Sequence, residues 1–362
     1  MHLRCQSRYQ GPRNRLVQGK ITGMSKHEPT PAELLFQICM GYLSSACLNV
    51  VARLSVAEEL ANGPRHVNDI AAACKVNADA LYRVMRAVGM VGVFTETEPR
   101  KFAQTPMSDL LRQDHPQTLR PFVVFFPNPL HFRSYANLMH SVRTGETTAM
   151  PTVGKELFEY LKDDPEESAV FNAAMVNLSQ IFIPAVLEAY DFSSTRTLVD
   201  VGGGHGSVVA SVLQKYPSMK GILFDLPHVV EGAGDFLKSM GVADRCTVVP
   251  GNFFESVPAG GDTYIMKNII HDWNDDRCVV ILKNIAARLK GTAGGKLVLL
   301  EFALSPGNNP ELGKWADIEM LALPGGRERT ADEYRDLFQR AGFRMTRIVP
   351  TEVPQSVIEA VL

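Results

Sequence analysis

Beyond Thr195 the chain changes rhythm. Short apolar strands alternate with helical stretches: Leu198-Val199-Asp200-Val201, a helix from about Ser207 to Lys215, then strands at Gly221–Phe224, Cys246–Val249 and Thr263–Met266. A helix over Asp276–Leu289 leads to a fifth strand, Lys296–Glu301. A last helix, Thr330–Ala341, precedes strands at Phe343–Ile348 and Ser356–Val361. Parallel neighbours need long crossovers, so this alternation specifies an α/β fold with a doubly wound, mostly parallel sheet. The first strand runs into Asp200-Val201-Gly202-Gly203-Gly204-His205-Gly206. Glycines at 202, 204 and 206 allow a tight turn and let a ligand press against main-chain N–H groups.

The first half is helical. Leu34, Leu35, Ile38 and Cys39 recur at helical spacing, as do Leu48, Val51, Leu54 and Val56, up to the breaker Gly63-Pro64. Helices over Val67–Cys74 and Ala78–Val91, the second capped by Asn77, precede a hairpin at Val93-Phe94-Thr95 and Phe102-Ala103-Gln104. That outline is a winged helix. Helices with proline breaks continue to Tyr190, and the long amphipathic stretch Glu166–Ala189 is expected to bridge two domains. The expected divisions are a disordered basic tail at 1–26, a winged-helix domain at 27–118, a helical connector contributing to a binding pocket at 119–190, and the α/β domain at 191–362. The tail holds six Lys and Arg and no acid, with no apolar core for a secretory signal, and an upstream start before Met24 would account for it.

Composition narrows the function classes. With 362 residues, 45% of them apolar and 21% charged, the chain can bury a large core. A net charge of −2 excludes a globally basic nucleic-acid binder. Six scattered cysteines with no C-x-x-C pair fit neither a zinc site nor a disulfide scaffold, and suit a reduced, cytoplasmic protein. Uninterrupted apolar runs such as Pro121–Phe126 are too short to span a bilayer, so no membrane association is expected.

The glycine loop is not a dinucleotide fingerprint. G-x-G-x-x-G fails counting from Gly202, where Ser207 falls third, and from Gly204, where Val209 does. The pattern is acid-x-G-x-G-x-G, the nucleotide loop of S-adenosylmethionine methyltransferases. Asp225, closing the second strand, is placed to accept hydrogen bonds from ribose hydroxyls. Three further motifs follow: Gly251-Asn252-Phe253-Phe254, Lys267 through His271-Asp272-Trp273, and Gly325-Gly326-Arg327-Glu328-Arg329-Thr330. With these motifs in this order, residues 31–362 resemble the plant-type and hydroxyindole-type O-methyltransferases, which pair a winged-helix dimerisation domain with a Rossmann-like catalytic sheet.

The resemblance implies a role for each matching position. Asp200, Gly202, Gly204, Asp225, Leu226, Asn252, Phe253, Lys267 and Ser179 would hold S-adenosylmethionine. His271 would be the general base, flanked by Glu301 and Glu328. Phe171, Met175, Trp273, Met320 and Leu323 would line the site of an aromatic acceptor, Met175 and Met320 clamping it with adaptable side chains. A homodimer formed through the N-terminal domain is implied, and no metal. The chemistry agrees independently: a phenol near pKa 10 is a poor nucleophile until a base takes its proton, and histidine suits that task. A carboxylate on the imidazole fixes its tautomer and stabilises the imidazolium.

Two positions depart from the family pattern. Asn252 stands where an Asp usually accepts from the adenine amino group, predicting weaker cofactor binding because that hydrogen bond is no longer charge-assisted. Leu323 replaces a residue that is often polar in plant members, predicting a less polar acceptor pocket. Rival readings are an N- or C-methyltransferase or non-methylating relative of the same fold, and a cofactor-sensing DNA-binding regulator. The helix that would read DNA offers only Arg83 and Arg86 among Leu81, Val84, Met85 and Val88, a face made for packing.

Overall fold

A computed structural model describes Pro29–Leu362, so the expected basic tail lies outside the described residues. These residues form two compact units, one ending at Asp109 and one starting at Leu110.

In the first unit, α1 (Pro31–Arg53) starts from a capping box in which Thr30 and Glu33 satisfy each other's backbone N–H groups. Strand β1 (Arg65–His66), α2 (Val67–Cys74) and α3 (Ala78–Gly89) follow, then the hairpin β2 (Phe94–Glu98) and β3 (Lys101–Gln104). Asn77 caps α3, its side chain accepting from the N–H groups of Asp79 and Ala80. Leu81, Met85 and Val88 of α3 are buried, consistent with a packing face. The sheet has the order β1-β3-β2 and is antiparallel throughout. Strand β1 was not expected, because two residues are too few to show a period.

Two helices correct the expectation about membrane-length segments. The second unit begins with helices that include α4 (Pro129–Ala136), α5 (Leu157–Asp163) and α6 (Pro165–Ala189), and both α1 and α6 are long and apolar enough to cross a bilayer. Counting uninterrupted apolar runs misses them because Gly, Ser and Asn punctuate the first and Asn, Ser and Gln the second. Helix α1 leaves Leu35, Phe36 and Ile38 at 64%, 73% and 75% exposure.

The second unit is built on a seven-stranded sheet. Its strands are β4 (Thr197–Val201), β5 (Lys220–Asp225), β6 (Cys246–Pro250), β7 (Thr263–Lys267), β8 (Lys296–Glu301), β9 (Arg344–Val349) and β10 (Ser356–Val361). Their order is β9-β10-β8-β7-β4-β5-β6, parallel from β8 to β6, with β9 and β10 antiparallel. The α/β expectation holds, with strand limits shifted by one residue at most at each end.

Strand order reverses at β4, which opens a crevice at its carboxyl end, where the glycine loop lies. Helices α7 (Ser207–Lys215), α8 (Ala233–Ser239), α9 (Asp275–Leu289) and α11 (Ala331–Ala341) accompany the sheet. On one face Val208, Val209, Leu213 and Leu223 pack with Ile183 and Val186 of α6. On the other, Ile281, Ile285, Leu337 and Phe338 pack with Met266 and Leu299. Because α6 joins the sheet's own core, residues 110–190 belong to this unit. The compact division falls at Asp109 instead of the expected breaks after 118 and 190.

Candidate active site

The loop after β4 is held from both sides. The Gly202 N–H donates to the Phe224 carbonyl at 2.8 Å, anchoring the turn to β5. Gly202 has φ +71°, and a Cβ there would lie 2.6 Å from Cδ1 of Ile269, so backbone and space both require glycine. Gly204, at φ +60°, faces open space. Its N–H donates to Asp225 Oδ2 at 2.9 Å, and the Leu226 N–H donates to Oδ1 at 2.7 Å. Burial raises the Asp225 carboxyl, opposed by those two N–H groups.

Asp200 is buried and accepts from the Val209 N–H at 3.1 Å, while its Oδ1 has no partner among the described residues. Burial pushes it up to about 7, against the pull of Lys267. Lys267 is itself lowered by burial, although Glu301, Asp200 and Asp272 hold its charge. Phe253 lies next to Gly202. Asn252 folds onto its own loop: Oδ1 accepts from the Phe254 N–H at 3.0 Å and Nδ2 donates to Glu255 at 3.1 Å.

His271 sits in a single 3-10 turn, Ile270–Asp272, just after β7. Its Nδ1 is 2.6 Å from Glu328 Oε1. Glu301 is farther away, with Oε2 at 3.7 Å from Nδ1, and its Oε1 accepts the N–H groups of Ile269 and Ile270 at 3.0 Å each. The two glutamates that the sequence pairs around the base therefore do different work. Glu328 is the imidazole's hydrogen-bond partner, and Glu301 caps the turn that carries it.

Asp272 Oδ1 lies 3.5 Å from Nε2, beyond a good hydrogen bond, so Nε2 has no hydrogen-bond partner among the described residues. Burial disfavours the charged imidazole, but Glu328, Glu301 and Asp272 outweigh it and push His271 up to about 10. Burial in turn raises Asp272 to about 7 and Glu301 as well. His271, Glu301 and Glu328 offer ligand atoms within 4.8 Å of one another, and of these only the 2.6 Å contact between Nδ1 and Glu328 is short enough to share a proton.

The Glu328 turn reaches His271 through its backbone. A Cβ on Gly326 would lie 1.9 Å from the His271 carbonyl oxygen, so only glycine permits this approach. The Arg327 N–H donates to that carbonyl at 2.8 Å, and the Glu328 N–H donates to Asp317 at 2.8 Å.

An aromatic series leads away from the base. Trp273 stacks on Phe158 at 5.5 Å, meets Phe253 and Phe254 edge-on, and lies under the Arg277 guanidinium at 4.2 Å. Its Nε1 is buried without a partner among the described residues. Phe171 on α6 packs edge-on against Phe158 and Phe125. Met175 and Ser179 are neighbours on α6, the Ser179 hydroxyl donating to the Met175 carbonyl at 2.7 Å. Met320 lies on α10 (Leu312–Ala322) and is 8% exposed. Leu323 is buried in a cluster with Leu130, Leu157, Leu161 and Ala322, against which Phe171 packs.

A model of the O-methyltransferase domain matches residues 135–344, and a model of the O-methyltransferase dimerisation domain matches 36–114. The chain belongs to this O-methyltransferase family. A phenazine O-methyltransferase of Lysobacter antibioticus is 41% identical over 91% of this chain and 96% of its own length. The 8-amino-8-demethylriboflavin N,N-dimethyltransferase of Streptomyces davaonensis is 35% identical over 92% and 96%. Among solved structures, human N-acetylserotonin methyltransferase in complex with S-adenosylmethionine aligns with a TM-score of 0.84 at 27% identity, covering 93% of this chain and 99% of that one. In this O-methyltransferase the half that the rival reading gave to DNA matches a dimerisation domain, whose match includes most of the exposed apolar helix α1.

Sequence reasoning missed a second buried polar group in the second unit. His131 on α4 (Pro129–Ala136) bonds Glu319 on α10 at 2.9 Å, and Tyr135 donates to the same carboxylate. It also missed Arg329, 1% exposed within the Glu328 turn. For His131 and Glu319 the available signal was a polar residue among apolar neighbours, and for Arg329, in a polar turn, there was none, since local pattern cannot separate it from a surface position.

Proposed function

We propose that this enzyme transfers the methyl group of S-adenosylmethionine to a hydroxyl of an aromatic or polyketide-like small molecule, with His271 as general base. The carrying observation is the His271–Glu328 hydrogen bond at Nδ1, which leaves Nε2 without a hydrogen-bond partner among the described residues.

The β4 loop suits the cofactor: Gly204 faces open space at the crevice, next to the fixed Asp225 carboxylate, and the buried Asp200 Oδ1 is unpartnered. Gly202, Gly204, Asp225, Leu226, Asn252, Phe253 and Lys267 would hold it, with Ser179 facing from α6. Phe254 uses only one acceptor site of Asn252 Oδ1, and the second stays available to an adenine amino group. When bound, the cofactor supplies a methyl carbon already activated by a positive sulfur, so the reaction needs no metal.

His271 Nε2 takes the acceptor's hydroxyl proton. Glu328 holds the ring orientation and stabilises the resulting imidazolium. The surrounding carboxylates raise the His271 pKa, which makes the neutral imidazole a stronger base for a hydroxyl proton. A positive charge beside the ring disfavours the imidazolium and moves His271 toward its neutral, basic form. Trp273, Phe171, Met175 and Met320 would orient the acceptor ring, which is a proximity contribution. The exposed face of α1 supports a homodimer. The near-neutral charge and scattered cysteines support a cytoplasmic enzyme without nucleic-acid or membrane partners.

A second reading is N-methylation, favoured by the likeness to the riboflavin N,N-dimethyltransferase. An aromatic amine has its lone pair available without a base, whereas a hydroxyl needs the pair that His271 and Glu328 form. The test is a panel of phenolic, indolic, quinone and aromatic amine acceptors with isotope-labelled cofactor, read by mass spectrometry. Label on oxygen is the expected result. Label on nitrogen alone would establish the second reading.

A further inference from the structure

We infer that Arg329 is a positioning residue for methyl transfer, its buried guanidinium clasping the backbone on both sides of His271 and tying it to the Glu328 turn. The inference rests on the reading of His271 as the base.

All of the guanidinium's nitrogens are engaged. Nη1 donates to the carbonyls of Ile270 and Arg327, both at 3.1 Å. Nη2 donates to the Trp273 carbonyl at 2.9 Å and to Asp275 at 2.7 Å, and Nε donates to Asp275 at 3.1 Å. Ile270 and Trp273 bracket the His271-Asp272 pair, and Arg327 immediately precedes Glu328. One rigid planar group therefore sets where the base stands and where its carboxylate stands. The Arg327 N–H to the His271 carbonyl and the close approach at Gly326 bring the same two segments together.

The Arg329 guanidinium is buried while its partner Asp275 is 38% exposed, so the pair does little more than offset the desolvation of the buried charge. A forked planar donor reaching three carbonyls is instead a geometric device, and Lys cannot reproduce it. A displacement of about 1 Å in a reacting group can cost on the order of 10²-fold in rate.

The test compares Arg329→Lys, which keeps the charge, with Asp275→Asn, which loosens the guanidinium from outside the site. In Arg329→Lys, kcat is expected to fall about 10–100-fold, with KM for cofactor and acceptor nearly unchanged. The ionisation in its pH–rate profile should move down toward that of an ordinary imidazole, because Glu328 no longer holds Nδ1. Asp275→Asn should show both effects in the same direction at smaller size, and it carries the test if the lysine variant does not fold. Wild-type kcat and an unmoved pH profile in folded Arg329→Lys or Asp275→Asn overturn the inference while leaving the base reading intact. Full turnover in His271→Ala overturns both.

Discussion

Two histidine–carboxylate pairs are buried in the catalytic unit, and the contrast between them shows what makes one of them a base. His131 has both ring nitrogens occupied: Nδ1 lies 2.8 Å from Asn128 Oδ1 and Nε2 lies 2.9 Å from Glu319 Oε1. Asn128 is itself fixed, since its Nδ2 donates to Glu167 and its oxygen must therefore face the ring. Tyr135 takes the other oxygen of Glu319, and Phe125 packs edge-on against the imidazole. Nothing in that group can take a substrate proton without breaking a bond. His271 is also buried and has a shorter bond to its carboxylate, yet only one nitrogen is committed. The uncommitted nitrogen is what makes His271 a candidate base.

The largest effect should separate the two histidines. His271→Ala is expected to lower kcat by about 10²–10⁴-fold. His131→Ala should leave kcat per folded molecule nearly unchanged, while costing about 3 kcal/mol in urea unfolding because it strands a buried carboxylate. Equal losses of kcat would erase the distinction.

Next come the carboxylates. Glu328→Gln should lower kcat by about 10²-fold through the loss of ring alignment and charge. Glu319→Gln should act on stability alone, by about 1–3 kcal/mol. A larger fall in kcat for Glu319→Gln would make its pair part of the machinery.

A third measurement uses pH. The folded-state pKa of His271, about 10, lies above its unfolded value near 6.5. Its contribution to stability is therefore fully present below pH 6.5 and is lost as pH rises through 10. The Tm difference between wild type and His271→Gln should narrow over that window.

The smallest effect lies in the cofactor loop. Asn252→Asp should tighten cofactor Kd about fivefold, because a charged acceptor adds about 1 kcal/mol while Glu255 opposes it. Weaker binding measured by calorimetry would show that the Asn252–Glu255 contact matters more than the adenine contact.

Much of the sheet was legible because its strands carry their own signals. Leu198–Val201 and Lys296–Glu301 are apolar runs of strand length bounded by polar or glycine turns, and strand length and burial follow from local composition. Helix α10 and helix α8 were not anticipated, because the first mixes Lys314 and Asp317 with exposed Leu312 and Trp315, and the second spans only seven residues with Gly234 inside it. The site motifs were legible as residues and order. Their division of labour was not: Glu301 and Glu328 look interchangeable on paper, and Arg329 looks like one more arginine in a polar turn.

The amino-acid sequence by itself determined the alternation that makes the sheet, the glycine loop at the end of β4 and the presence of a histidine with acids after β7. Those depend on contacts within a few residues. Only the tertiary structure decided that His271 keeps a nitrogen free while His131 does not. A histidine's role is set by what occupies its two ring nitrogens, and those partners come from 57 residues away for Glu328 and 188 for Glu319.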